Sequence, residues 1–156
     1  MKDRYEPSSD FLKAVIANEP PLCGSDFAEA NLQRLIQLTC DADTSNRDWA
    51  TMLLAQQQAD SPDVRAALML AASDEDEAVR AEAILGLAQR DKAAALPFLR
   101  AELAGETACM GLFEAAALVA DPSMVPLLLD WADATDDKIL INWVHAALDA
   151  CRSGNG

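Results

Sequence analysis

The chain has few of the side chains from which catalytic centres are usually assembled. It holds one histidine, His145, and one tyrosine, Tyr5, and aromatics make up only 5% of its 156 residues. Cys151 stands six residues beyond His145, outside the i, i+3 or i+4 spacing that sets a nucleophile and its base on one helical face. No HExxH, phosphate-binding loop or dinucleotide fingerprint occurs, and the acidic residues form no EF-hand loop. The sequence is therefore read as non-enzymatic, with no cofactor and no metal. The four cysteines (Cys23, Cys40, Cys109, Cys151) lie far apart with no CxxC pair. That spacing argues against a zinc site and a disulfide framework. Each is expected to be a buried free thiol.

Basic charge is scarce as well. Lys and Arg number 12 against 26 Asp and Glu, a formal net charge of −14. Counterion release on nucleic acid needs a basic footprint, and an anionic membrane repels the same sign, so neither is expected as a partner. No apolar run approaches the roughly 18 residues of a membrane span, and MKDRYEPSSD lacks a signal peptide's apolar core. A cytoplasmic, bacterial-type monomer is the expectation. The acidic excess serves solubility or attracts a basic protein.

What is abundant points to helices. Hydrophobic residues make up 51% of the chain, and with so few aromatics the core must be built from Ala and Leu, a composition of packed helices rather than strands. The stretch Ser73 to Asp91 shows the pattern: Asp74 reads as an N-cap with Glu77 at N3, and Val79, Ala83, Ile84 and Leu87 mark one buried face. Ser9-Asp10 caps a short helix that Pro20-Pro21 stops. Cys23-Gly24 is a turn and Ser25 caps the next helix, with Leu32, Leu35, Ile36 and Thr39 as its apolar stripe. A polar turn runs from Asp41 to Asn46. Ser61-Pro62 opens another helix as N-cap and N1. Further helices follow Asp91, run through ETACMGLFEAAALVA, start at Asp121-Pro122, and start between Thr135 and Asp137. The division is 1–24 as an N-terminal segment with a short helix, 25–151 as the main domain, and 152–156 as a flexible tail.

These helices repeat. A shift of 33 lays Asp43, Arg47, Ala50, Leu54 and Ala55 on Asp76, Arg80, Ala83, Leu87 and Ala88. A shift of 32 lays Glu82-Ala83 on Glu114-Ala115, and one of 29 lays Leu112, Ala117 and Val119 on Ile141, Ala146 and Leu148. Leu96-Pro97-Phe98-Leu99 overlays Val125-Pro126-Leu127-Leu128. A unit of about 30 residues holding two helices signals an α-solenoid.

An apolar helix, an acidic turn, then V-R and an alanine-rich second helix resembles the HEAT repeat. ADPSMVPLLLDWA and SDEDEAVRAEAILGLA look like its two halves, most of all the short variety of phycobilin-lyase-type proteins. Asn46-Arg47-Asp48-Trp49-Ala50-Thr51 is similar to a stretch of small bacterial HEAT-like proteins. The resemblance implies an all-α, right-handed α-solenoid of about four HEAT-like hairpins with an extra N-terminal helix. It also implies that Asp76 and Arg80, like Asp43 and Arg47, join neighbouring repeats. Bilin lyases share the repeat type, which leaves a chromophore-attachment helper as one alternative function. An immunity or inhibitor protein that neutralises a basic toxin is another.

The leading expectation is a protein-interaction module. Just before the aligned small residue of each second helix stand Trp49, Glu82, Glu114 and Trp143; three residues on stand Met52, Leu85, Ala117 and Ala146. HEAT proteins usually turn the second helix to the concave side. Trp49, Met52, Glu82, Leu85, Glu114 and Trp143 are therefore the candidate partner-binding residues. At about 8–10 Å between helices, four rows would span roughly 25–30 Å, enough for a helix or a protein edge. Alternatively, Trp49 and Trp143 plug ends or pack between repeats, as Phe113 and Trp131 are expected to do.

Overall fold

The computed structural model of the chain describes residues 6–18, 22 and 26–154. Among these there are nine α-helices, one 3-10 turn and no strand: α1 (Asp10–Ile16), α2 (Asp26–Leu38), α3 (Thr44–Gln56), α4 (Pro62–Ala71), α5 (Glu77–Arg90), α6 (Lys92–Leu103), α7 (Met110–Val119), α8 (Val125–Ala134) and α9 (Lys138–Ser153), with the 3-10 turn Pro122–Met124 leading into α8. Leaving α1 aside, the helices form four successive hairpins of an all-α solenoid. The chain divides into two compact units, Met1–Gly86 and Leu87–Gly156.

In the first unit, α1 packs on α3, α2 on α3 and α4, and α3 on α4. Ser9 caps α1 by accepting from the Leu12 N–H, as its sequence position implies. Asn46, buried at the start of α3, fastens α1 there: its Oδ1 accepts from the Ser9 N–H, and its Nδ2 donates to Ser8 Oγ and Asp41 Oδ2. Arg34 of α2 lies 4.5 Å from the Phe11 ring centroid, a cation–π contact that also covers the helix pair. Ser61 caps α4 with Pro62 in its first turn. Val64, Leu68, Val79, Ala83 and Ile84 are fully buried, so the helical spacing of the sequence marks the true core face. Gly86 is needed where α5 meets α3, since a Cβ there would stand 2.8 Å from Ala55 Cβ.

The second unit is joined chiefly by α7 against α9, with α6 on α7 and α8 on α9. Its largest buried side chain is Phe113. The Trp131 ring meets Phe113 edge-on at 5.8 Å and 76°, and its indole N–H donates to the Leu103 carbonyl at 2.8 Å. Asp137 caps α9 with two backbone N–H groups. Ala120 closes α7 in the left-handed region at φ 55°, and Gly154 closes α9 at φ 68°.

Several local expectations change. The N-cap of α5 is Asp76, whose Oδ1 accepts from Ala78 and Val79 N–H; Asp74 instead accepts from the Asp76 N–H. Two acids two residues apart compete for one cap, and the one adjoining Glu77 takes it. The polar turn ends sooner than Asn46, because Asp43 caps a helix that begins at Thr44. The helix of ETACMG begins only at Met110. Arg152 and Ser153 continue α9, so the last helix outruns the 151 boundary by two residues. Among the described residues, Cys40 and Cys109 are exposed and Cys151 is buried, since the first two sit at a helix end and a cap rather than on an apolar stripe; Cys23 lies outside the described residues. Pro20-Pro21, the Cys23-Gly24 turn and the Ser25 cap lie outside the described residues.

Candidate functional site

The second helix of each hairpin carries a repeated alternation of inward and outward positions. On α3, Ala50 is fully buried while Trp49 before it is half-buried; Met52 is half-buried between the buried Thr51 and Leu53. On α5, the half-buried Glu82 stands between the buried Ala81 and Ala83, and the half-buried Leu85 follows the fully buried Ile84. In the second unit, Glu114 of α7 is exposed between the fully buried Phe113 and Ala115. Trp143 of α9 is 36% exposed beside the fully buried Val144. One turn on, Ala117 is half-buried and Ala146 exposed. The helical repeat produces this pattern: each small inward residue lets the helix approach its neighbours, and the preceding residue is turned roughly 100° away.

Two residues of this face escape the sequence reading. Met110 is 48% exposed and Ile139 is 67% exposed. Each lies one turn before a candidate residue, Met110 before Glu114 and Ile139 before Trp143. The signal was available as i, i+4 spacing, but an isolated apolar residue in a first turn reads equally well as core. Exposed apolar side chains of this size beside carboxylates give the second unit's α7 and α9 an amphipathic outer surface. His145 is exposed on α9, away from Cys151, whose Sγ donates toward the Ala116 carbonyl at 3.8 Å. Burial, and then the nearby Asp121 carboxylate, push the Cys151 thiol above its ordinary pKa. Among the described residues no three His, Cys, Asp or Glu side chains converge as metal ligands, and no helix is long and apolar enough to cross a membrane.

The charged residues assigned to joining repeats do so in a corrected arrangement. Arg47 Nε donates to Asp74 Oδ2 at 3.0 Å, its Nη2 reaches Asp74 Oδ1, and its Nη1 donates to the Asp41 carbonyl. The hydrogen bond to Asp74 holds the guanidinium above its usual pKa. Arg80 repeats the local half of this motif, donating to the Asp74 and Glu75 carbonyls. The acid of the ladder is thus Asp74, and Asp43 and Asp76 serve as helix caps. Asp43, held by Ser45 and Ser8 hydrogen bonds, stays below the usual carboxylate range.

Helical hairpins repeating at this period, with Arg47 bonded to Asp74 between the turns of the first two, define an α-solenoid of the scaffold type. The comparisons then place the chain: residues 32–108 match the family model for HEAT repeats, and the chain is a HEAT-like repeat protein. It is similar to Protein YibA of Escherichia coli strain K12 and of Escherichia coli O157:H7, 31% identical to each over 113 residues. That alignment covers 72% of this chain and 40% of the relative, so the chain spans well under half the length of those proteins. The X-ray structure of Escherichia coli YibA superposes with a TM-score of 0.67 at 24% identity, over 97% of this chain and 56% of that one. At that identity the likeness speaks for the fold.

Proposed function

We propose that the protein is a non-catalytic protein-interaction module of the cytoplasm, binding a basic protein partner through the outward face of its second helices. The observation that carries this reading is the alternation itself: Glu114 and Trp143 face outward beside fully buried neighbours, and Trp49 and Glu82, at the same repeat position, are not buried either. Exposed Trp and apolar side chains are the residues on which interface energy concentrates. Carboxylates among them steer a cationic partner. Solenoids use aligned positions in this way because neighbouring repeats present equivalent side chains in rows. The concave placement of this face and its continuity from repeat to repeat belong to the proposal.

The test is capture of partners by the wild-type chain and by two variants, Trp49→Ala/Glu82→Lys and Glu114→Lys/Trp143→Ala. The reading expects each variant to lose partners, with the loss shrinking as salt is raised. Undiminished capture by both variants would remove the face from consideration.

A second reading is an immunity or inhibitor protein for a basic toxin, favoured by the net charge of −14 on a small chain. It differs in requiring one tight partner, whose inhibition by the purified chain is directly measurable.

A further inference from the structure

The second unit also carries a pocket on its first helices. A cavity of about 420 Å³ is lined by Leu103, Glu106, Leu127, Asp130 and Trp131, with Ala104, Gly105 and Ala134 completing it. Three features of it converge on one ligand chemistry. It lies where α6 ends at Leu103 and α8 ends at Ala134, so two helix C-termini, each the negative end of a helix dipole, meet in its wall. Glu106 and Asp130, both exposed, add two carboxylates. No Lys, Arg or His lines it, and the last turn of α8 contains no basic residue. Arg100, the basic residue in the last turn of α6, acts on the Asp121 carboxylate.

The wall is preorganised. The Trp131 N–H is already bonded to the Leu103 carbonyl, and Phe113 packs on the ring edge-to-face. The indole is therefore fixed in orientation, and with its N–H committed it lines the pocket as an aromatic wall rather than as a hydrogen-bond donor. A fixed indole flanked by aliphatic Leu103 and Leu127, two carboxylates and two negative helix ends suits a cation on an apolar stem.

We propose that this pocket is a binding site for a cationic side chain of a protein partner, the planar guanidinium of arginine in preference to the ammonium of lysine. Guanidinium is the better match because it stacks on an aromatic face while its N–H fork reaches carboxylates, and it is the more weakly hydrated of the two cations. The site is separate from the α7 and α9 face, and its occupancy does not depend on that reading.

The experiment uses the full chain, isotopically labelled, titrated with N-acetyl-arginine amide, with N-acetyl-lysine amide and with the neutral isostere N-acetyl-citrulline amide. Amide and indole N–H resonances are followed. The expected result is a saturable shift of the Trp131 indole and of the 103–106 and 130–134 backbone amides with the arginine probe. A weaker response follows with lysine and none with citrulline. Glu106→Gln/Asp130→Asn, both at exposed positions, should leave the melting temperature unchanged and weaken arginine binding by roughly fivefold. Glu114→Lys/Trp143→Ala, which damages the other face, should leave the titration as it was. Equal shifts from citrulline, or arginine shifts that survive the double amide substitution, would overturn the proposal. So would an arginine titration whose shifts fall outside the pocket.

Discussion

The two units join their hairpins by different physics. In the first, Arg47 crosses from α3 to the turn before α5 and grips Asp74, while Asn46 gathers Ser8, Ser9 and Asp41. In the second, the hairpins are joined by Phe113 against Trp131 and by the indole bond to Leu103. One repeat architecture thus tolerates a polar joint and an apolar one. The polar joint fixes the register of the turns through directional bonds. The aromatic joint supplies burial, the larger energy.

The contrast breaks most readily in the second unit. Phe113→Ala should cost about 3–5 kcal/mol, the usual range for emptying a buried aromatic site, read as a fall in urea midpoint. Trp131→Phe keeps a ring but strands the Leu103 carbonyl, and should cost about 1–2 kcal/mol. In the first unit, Asp74→Ala leaves the Arg47 guanidinium only the exposed Glu75 carboxylate at 3.6 Å and should cost about 1–3 kcal/mol. The side chains of this pair are only 11% and 13% exposed, so solvent screens them little. Arg65–Asp60, at 41% and 37% exposed, is the built-in control: Asp60→Ala should change stability by less than about 1 kcal/mol. If Asp74→Ala proves as costly as Phe113→Ala, the distinction between the joints is lost.

Alkali sharpens the comparison further. Cys151 lies in the α7–α9 seam, and its thiol ionises at higher pH folded than unfolded because of its burial. A group with a raised folded pKa contributes stability that is intact below its unfolded value and lost as pH climbs through the folded one. Melting temperature should therefore decline above about pH 9, the ordinary thiol value, and Cys151→Ala should flatten that limb. Acid behaves oppositely: Asp43 and Asp121 are both held low by serine hydrogen bonds, so their contribution is complete above the usual carboxylate value and fades as pH falls below it. The smallest effect on folding belongs to the proposed face. Glu114→Lys, at an exposed position, should alter stability by no more than about 0.5 kcal/mol, with the change confined to partner association.

Periodicity made most of the fold legible. Ala50, Ala83, Ala115 and Val144 fall at matching positions, and each is fully buried; that recurrence locates four hairpins without any knowledge of contacts. Caps with a distinctive serine, such as Ser9 and Ser61, were equally plain. Asp74 and Asp76 were not, because both satisfy the local rule for a cap, and only the neighbouring hairpin decides which one faces Arg47. The outward column was legible as a position in the repeat, but Met110 and Ile139 were not, since exposure in a first turn depends on where the adjacent helix ends. The pocket beneath Trp131 had no linear signature at all. It is made by residues 28 apart meeting through a backbone carbonyl.

The pairing of a buried small residue with an outward neighbour, Ala83 beside Glu82 and Ala115 beside Glu114, has a consequence for how such a protein changes over generations. A chain held only modestly above its stability threshold loses most substitutions to unfolding before any new preference is tried. Here the residue that holds the helix in place and the residue turned outward are different residues, adjacent on the chain and roughly 100° apart on the wheel. Variation at the outward position leaves the buried neighbour in place, so on the proposed face it would bear chiefly on recognition, one repeat at a time. On the proposed face, a change of partner would then need only a few single substitutions that keep the buried alanines in place.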